Sequence, residues 1–275
     1  PELPEVETVR RGLDRSLLRR RLQEVELARH DLRWPIPVAA CHDLRGRRCV
    51  AISRRSKYLL LHFDGATAPV ALIHLGMSGR LWVERRRDLD AWRTHEHWRM
   101  HFGPLVLRYA DPRRFGVLDV VTGNELGTHR LLCALGPEPL GEEFDAAYLF
   151  RRTRQRRVAT KLFLMDAKNV VGIGNIYASE ICHAAGVRPR RGAHRLSRDD
   201  CARLAIAVRT VLSRALAAGG TTIRDYIGAD EDTGYFQHEL RVYDRAGLPC
   251  VACGAAIRQT VDGGRSTYYC PTCQR

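Results

Sequence analysis

Near the start of the chain, apolar residues recur every three or four positions, at Val6, Val9, Leu13 and Leu17, with Leu22 beyond them. Pro4 leads this run and Glu5 and Glu7 follow. The spacing predicts an amphipathic helix, opened by proline and by acids suited to its positive end. The rhythm then changes. Val25 to Arg29, Cys49 to Ser53, Tyr58 to Phe63, Val70 to Leu75, Arg80 to Glu84, His97 to Phe102, Leu105 to Tyr109 and Val117 to Val121 are short β-patterned runs, most of them separated by Gly, Pro or Asp. Several short strands at this spacing predict a β-sandwich or barrel.

Leu135-Gly-Pro-Glu-Pro-Leu-Gly141 reads as a stiff linker. Beyond it the pattern is helical, with predicted helices from Asp145 to Arg152, Ala159 to Asp166, Asn175 to Ala185 and Ser197 to Ala218, the last stopped by Gly219-Gly220. Ile227 to Tyr235, with Asp230, Glu231, Asp232 and two glycines, is expected to be a mobile loop. A final hairpin is predicted from Ile257 to Val261, a turn at Asp262-Gly263-Gly264, and Arg265 to Tyr269. The expected domains are therefore 1–135, a linker at 136–141, a helical domain at 142–235 and a terminal module at 236–275.

A length of 275 residues fits this division, since a domain takes roughly 150 residues. Hydrophobic residues make up 45% and charged residues 28%, a profile that excludes collagen-like and disordered classes. No apolar run reaches the ~18 residues of a membrane span. The opening Pro1-Glu2-Leu3-Pro4-Glu5 is acidic where a signal peptide would be basic, so a cytoplasmic location is expected. The net charge is +14, which points to a polyanionic partner such as nucleic acid. Only three of the basic residues are lysines, Lys57, Lys161 and Lys168. Arginine cannot replace an amine that must lose a proton, so these three are candidates for specific roles.

Of nine cysteines, four form Cys250-x2-Cys253 and Cys270-x2-Cys273, with sixteen residues between the pairs. Two such thiolate pairs build one tetrahedral zinc site, and because protein fills all four positions the ion is structural. Two disulfides are the competing reading. The other five, Cys41, Cys49, Cys133, Cys182 and Cys201, have no paired spacing, which favours a reducing compartment and buried, inert thiols.

Pro1 offers a secondary amine, and α-amino groups titrate near neutral pH, at about 8. Attack of that amine on a sugar aldehyde gives an iminium that is cationic without an added proton, an electron sink for elimination. Glu2 beside it is a carboxyl able to protonate a leaving or ring-opening oxygen. Gly172-x-Gly174 lacks the third glycine of a dinucleotide fingerprint, because residue 177 is tyrosine. Asn175 reads as a helix N-cap that could also hold a phosphate. Arg151, Arg152, Arg154, Arg156 and Arg157 form a basic run without an acid.

Pro1-Glu-Leu-Pro-Glu-Val-Glu-Thr8 resembles the amino terminus of bacterial formamidopyrimidine-DNA glycosylases, which remove 8-oxoguanine. The resemblance continues in order through Ser56-Lys-Tyr-Leu-Leu-Leu61, His74-Leu-Gly-Met-Ser-Gly79, Asp111-Pro-Arg-Arg-Phe-Gly116, Leu135-Gly-Pro-Glu-Pro-Leu140, Gly172-Ile-Gly-Asn-Ile-Tyr-Ala-Ser-Glu180, Gly219-Gly-Thr-Thr222 and the cysteine hairpin. It implies an α+β fold: an antiparallel β-sandwich flanked by helices, then a helical domain with a helix-two-turns-helix and a β-hairpin zinc finger. It also implies a basic groove between the two domains for bent duplex DNA. The implied roles are Pro1 as Schiff-base nucleophile, Glu2 as general acid, Lys57 in β-elimination and phosphate contact, and Arg265 in δ-elimination. Arginine is a poor proton donor, so Arg265 is better understood as a phosphate clamp. His74, His95, Arg156, Lys161 and Asn175 correspond to DNA contacts, with Lys161 near the flipped nucleotide. Met77, Arg113 and Phe115 correspond to the residues that fill the gap left by the extruded base, a filling that base flipping demands.

The function implied is excision of oxidised purines from damaged double-stranded DNA, followed by β,δ-elimination, by a cytoplasmic, nucleoid-associated monomer with one structural Zn2+ and no catalytic cofactor. An endonuclease VIII-like enzyme acting on oxidised pyrimidines is the nearest alternative. A non-catalytic zinc nucleic-acid binder is the other, although it gives no reason for Pro1, Glu2, Lys57 and Arg265 to occur together.

Overall fold

The computed structural model describes residues 1–86, 91–221 and 236–275; the loop expected from Ile227 to Tyr235 lies outside them. Among the described residues, one compact unit holds Pro1, residues 3–133 and residues 219–221, and the other holds Glu2, residues 134–218 and residues 236–275.

In the first unit the opening pattern forms helix α1 (Leu3–Leu17), which buries Leu3, Val6, Val9, Leu13 and Leu17 along one stripe. The β-patterned runs become β1 (Glu24–Leu27), β2 (Cys49–Arg55), β3 (Tyr58–Phe63), β4 (Val70–His74), β5 (Arg80–Arg85), β6 (Glu96–Phe102), β7 (Leu105–Ala110) and β8 (Val117–Val121). They pair antiparallel into two four-stranded sheets, β1-β6-β7-β5 and β2-β3-β4-β8. The sheets and α1 share one core, built on Phe63, Trp98, Phe102 and Tyr109. Helix α2 (Val38–His42) was not predicted, because five residues are too few to show a helical period.

In the second unit, α3 (Ala146–Thr153) starts where the Asp145 side chain accepts from Tyr148 N at 2.6 Å. Helix α6 (Arg198–Ala217) opens with a capping box in which Ser197 and Asp200 bond reciprocally. Between them lie α4 (Thr160–Met165) and α5 (Asn175–Ala184), packed around Phe163, Tyr177, Ile181, Val208 and Leu212. The chain closes with β9 (Arg258–Asp262) and β10 (Arg265–Tyr269). Asp262 pairs with Arg265, so it belongs to the strand and the turn is only Gly263-Gly264. Both glycines have positive φ, +57° and +73°, as a two-residue hairpin turn of this hand requires.

Candidate active site

In the first unit the β2–β3 turn presents Lys57. Arg55 pairs with Tyr58, leaving Ser56 and Lys57 as the two turn residues, with Ser56 in the left-handed region at φ +57°. Arg54 donates to Ser56 O at 2.7 Å and fixes that turn. His74 ends β4 opposite Tyr58, their rings 4.8 Å apart. Gly76 N donates to His74 Nδ1 at 3.0 Å, which fixes the ring as a neutral acceptor on that side. Burial pushes the His74 imidazole down to about 4, and Lys57, the amino group of residue 1 and Arg33 add to the effect. Pro1, Lys57 and His74 are thus electrostatic neighbours.

Met77 and Phe115 are 59% and 44% exposed, so neither is core. Each rides on a turn held by the fully buried Asp111. Oδ1 of Asp111 accepts from Ser78 Oγ at 2.6 Å, and Oδ2 accepts from Gly116 N at 2.9 Å and Tyr109 OH at 3.1 Å. The two turns also touch directly. Gly76, at φ +69°, could carry no Cβ, because that atom would lie 2.7 Å from the backbone of residues 115 and 116. The exposed Arg113 guanidinium lies 5.1 Å from the Phe115 ring centre. His95 is exposed in a loop at φ +63°, and its carbonyl accepts from Asp111 N at 2.9 Å.

In the second unit, Glu2 closes the N-terminus of α5. Its carboxylate accepts from Gly174 N at 2.5 Å and Ile176 N at 2.9 Å, with Tyr177 N at 3.5 Å. A helix N-terminus favours negative charge there. The cap position is Gly174, not Asn175 as expected; Asn175 is the first helical residue. Freed from capping, its Nδ2 donates to Ser266 O at 3.1 Å.

Lys161 was expected among the DNA contacts, near the flipped nucleotide. The side chain is fully buried. Its Nζ donates to Ser266 O at 2.7 Å and to Thr267 Oγ1 at 2.8 Å, so the ammonium is committed to β10. Burial pushes it down to about 8; neighbouring Arg265 adds to this, while Asp262 and Glu2 oppose it. Lys161 and Asn175 thereby grip one carbonyl, immediately after Arg265, whose own side chain is exposed. Of the basic run, Arg151, Arg154, Arg156 and Arg157 are exposed. Arg152 instead donates to Asn169 Oδ1 at 3.0 Å, and Arg154 to Leu196 O, so these two tie the unit together.

The four finger cysteines fit one zinc. Their sulfurs lie within 4.8 Å of one another, with Cys253–Cys270 at 3.4 Å and Cys250–Cys273 at 3.9 Å. A zinc tetrahedron with ~2.3 Å bonds has edges of about 3.8 Å. A disulfide would need sulfurs at ~2.05 Å. Ala252 N and Cys273 N point at Cys250 and Cys270 sulfur, at 3.5 and 3.4 Å. Among the described residues, the apolar cluster beside them consists of Val242, Ile257 and Tyr268, a core too small to hold the module without the metal. Among the other cysteines, Cys41, Cys49, Cys182 and Cys201 are buried as expected, but Cys133 is exposed. Burial pushes the first three of these thiols up to about 12 and makes them inert.

Sequence reasoning missed three residues. Asp111 was visible only as the head of a motif. Gly174 was weighed against a nucleotide fingerprint, although its function is to make room: a Cβ there would lie 2.4 Å from Glu2 Cδ. Glu180 was passed over as part of a helix. Its carboxylate accepts from Arg241, Val242 and Tyr243 N at 2.8–3.0 Å and carries the chain towards the finger. Burial pushes its carboxyl up, and those three N–H groups pull it back.

An antiparallel sandwich bearing an amine and a lysine, and a helical unit bearing a capped carboxylate and a four-cysteine hairpin, define an α+β zinc-finger protein equipped for chemistry on an anionic substrate. Residues 1–118 match the family model of the formamidopyrimidine-DNA glycosylase N-terminal domain, residues 135–227 its H2TH domain, and residues 247–275 the zinc finger found in FPG and IleRS. The chain is 50% identical to the formamidopyrimidine-DNA glycosylases of Thioalkalivibrio sulfidiphilus and Thiobacillus denitrificans, over the full length of each pair. It superposes on a Lactococcus lactis FPG mutant in complex with Fapy-dG-containing DNA with a TM-score of 0.92 at 32% identity, covering all of both chains. The Lactococcus lactis Fpg complex with abasic-site DNA gives 0.91 at 30%, again over both full chains. The chain belongs to the formamidopyrimidine-DNA glycosylase family.

Proposed function

We propose that this chain excises oxidised purines, formamidopyrimidines and 8-oxoguanine, from duplex DNA and then cleaves the abasic strand. The observation that carries this reading is full-length similarity to named formamidopyrimidine-DNA glycosylases and to structures holding Fapy-dG and abasic DNA.

The residues fit that chemistry. The Pro1 nitrogen attacks C1′ of the lesion nucleotide; the N–C1′ bond forms as the bond to the purine breaks, and the electron pair leaves with the base. Glu2 gives its proton to O4′ as the sugar ring opens, and the N–H groups of residues 174 and 176 stabilise the carboxylate left behind. The iminium then acidifies C2′–H, so that β-elimination releases the 3′ phosphate and δ-elimination the 5′ phosphate. Lys57 serves the first elimination. Arg265, held in place through its neighbour Ser266, clamps the phosphate in the second. Met77, Phe115 and Arg113 fill the vacated stack, and His74, His95, Arg156 and Asn175 hold phosphates. Zn2+ on Cys250, Cys253, Cys270 and Cys273 supports the Arg265 hairpin. No helix of the described residues is long and apolar enough to cross a membrane; we place the enzyme in the cytoplasm, on nucleoid DNA, as a monomer.

The test is base release from matched duplexes. Fapy-dG and 8-oxoguanine duplexes should be processed well ahead of one carrying an oxidised pyrimidine. The reverse order would favour the endonuclease VIII-like reading, and no release from any duplex would favour a mere binder.

A further inference from the structure

At the β1 edge of the sheet β1-β6-β7-β5 lies a cluster that excision chemistry does not use. Glu24 sits directly opposite His101 in the antiparallel register, and Glu26 lies two residues further along β1, on the same face. One ligand atom from each of the three lies within 4.8 Å of the others. His101 is 3% exposed, and neither of its ring nitrogens makes a hydrogen bond among the described residues. Nε2 nevertheless sits 2.8 Å from Glu26 Oε1, so the ring faces the carboxylates. Among the described residues Nδ1 has no partner and Nε2 has the Glu26 carboxylate off hydrogen-bond geometry, so an ion seated between the ring and the two acids would give these groups a better partner than they give one another. Arg99 pairs only loosely with Glu26, with Nη1 3.8 Å away, and is held more closely by Glu96, to which it donates at 2.6 and 2.9 Å.

We propose that Glu24, Glu26 and His101 bind a divalent transition cation of the Zn2+ type, at a site separate from the four-cysteine finger. One imidazole and two carboxylates suit zinc and its neighbours, whereas Mg2+ and Ca2+ prefer oxygen alone. Three protein ligands leave further positions to water. The ion ties edge strand β1 to β6, so it acts on the stability of the sandwich and not on the chemistry at Pro1.

The test is calorimetric titration of Zn2+ into the full chain with its finger already zinc-loaded. One further equivalent per chain should bind, with a rise in Tm, and Mg2+ over the same range should give neither. Glu24→Gln with Glu26→Gln, and separately His101→Phe, should each weaken that binding by at least about tenfold, or ~1.4 kcal/mol. The glutamines sit on a partly exposed edge and preserve size, so they decide the matter even if His101→Phe fails to fold. Absence of a second equivalent, or an equivalent that persists in the double glutamine variant, overturns the site.

Discussion

The carboxylate of Glu2 occupies the space that a side chain at Gly174 would fill. Gly174 N donates to Glu2 at 2.5 Å, and a Cβ on Gly174 would lie 2.4 Å from Glu2 Cδ. The proposed acid is therefore placed by a helix end far away in sequence, and the glycine is what lets it arrive.

Gly174→Ala should accordingly damage chemistry more than stability. Gly174 has an ordinary φ of −122°, so alanine is not strained there, and the flexible Glu2 side chain can move aside. That movement displaces the carboxylate by about an ångström or more, a misplacement that can cost around 100-fold in rate. The measurement is kcat/KM for base release beside the melting temperature; unchanged kcat/KM would refute the placement argument.

Asp111 should act as a positioning residue for both gap-filling turns. Asp111→Asn turns one acceptor into a donor facing Ser78, Tyr109 or Gly116, and each lost charge-assisted bond costs about 1.5–3 kcal/mol. Release of 8-oxoguanine should slow markedly, while cleavage at a preformed abasic site, which needs no base extrusion, should suffer less. Arg113 carries a fork of donors that suits the two acceptors on an unpaired cytosine, so release of 8-oxoguanine should be faster opposite cytosine than opposite adenine, and that ratio should flatten in this variant. Equal losses on both substrates would reduce Asp111 to a fold residue.

Lys161 should control the second elimination through Arg265. Lys161→Met keeps the bulk but removes both bonds to β10. Gel analysis of cleaved strands should show β-product accumulating at the expense of δ-product, with covalent trapping retained. A δ-to-β ratio equal to that of the unaltered protein would contradict this.

The His74 turn should be sensitive to acid. The imidazole is held down to about 4 when folded, against an ordinary 6.5. Between those values the unfolded chain binds more protons, so stability rises with pH across the window and is complete above about 6.5. Protonation below it also costs the Gly76 N–H its acceptor. Urea midpoints measured from pH 4 to 7 should climb, and His74→Gln should flatten the climb; parallel profiles would assign the effect to other groups.

Much of the fold was legible because its signals are local. Short β-patterned runs bounded by turn residues marked the strands of the sandwich, Asp145 and Ser197 marked helix starts, and two Cys-x2-Cys pairs marked the metal. The helix α2 was too short to have a period. What stayed hidden in the site was long-range. Nothing near Asn175 says that a carboxylate from residue 2 caps its helix, and nothing near Lys161 says that its amine is spent on a carbonyl at 266. Lys161 stood out as one of three lysines in an arginine-rich chain, but its complete burial is not readable there from a single sequence.

The central claim is that Pro1 is the nucleophile. Sodium borohydride added during reaction with abasic-site duplex should reduce the iminium and leave a stable protein–DNA adduct, and peptide mapping should locate it on residue 1. Pro1→Gly, which keeps an amine but makes it primary, should trap less without abolishing the adduct. An adduct on Lys57, or none at all, would contradict the account.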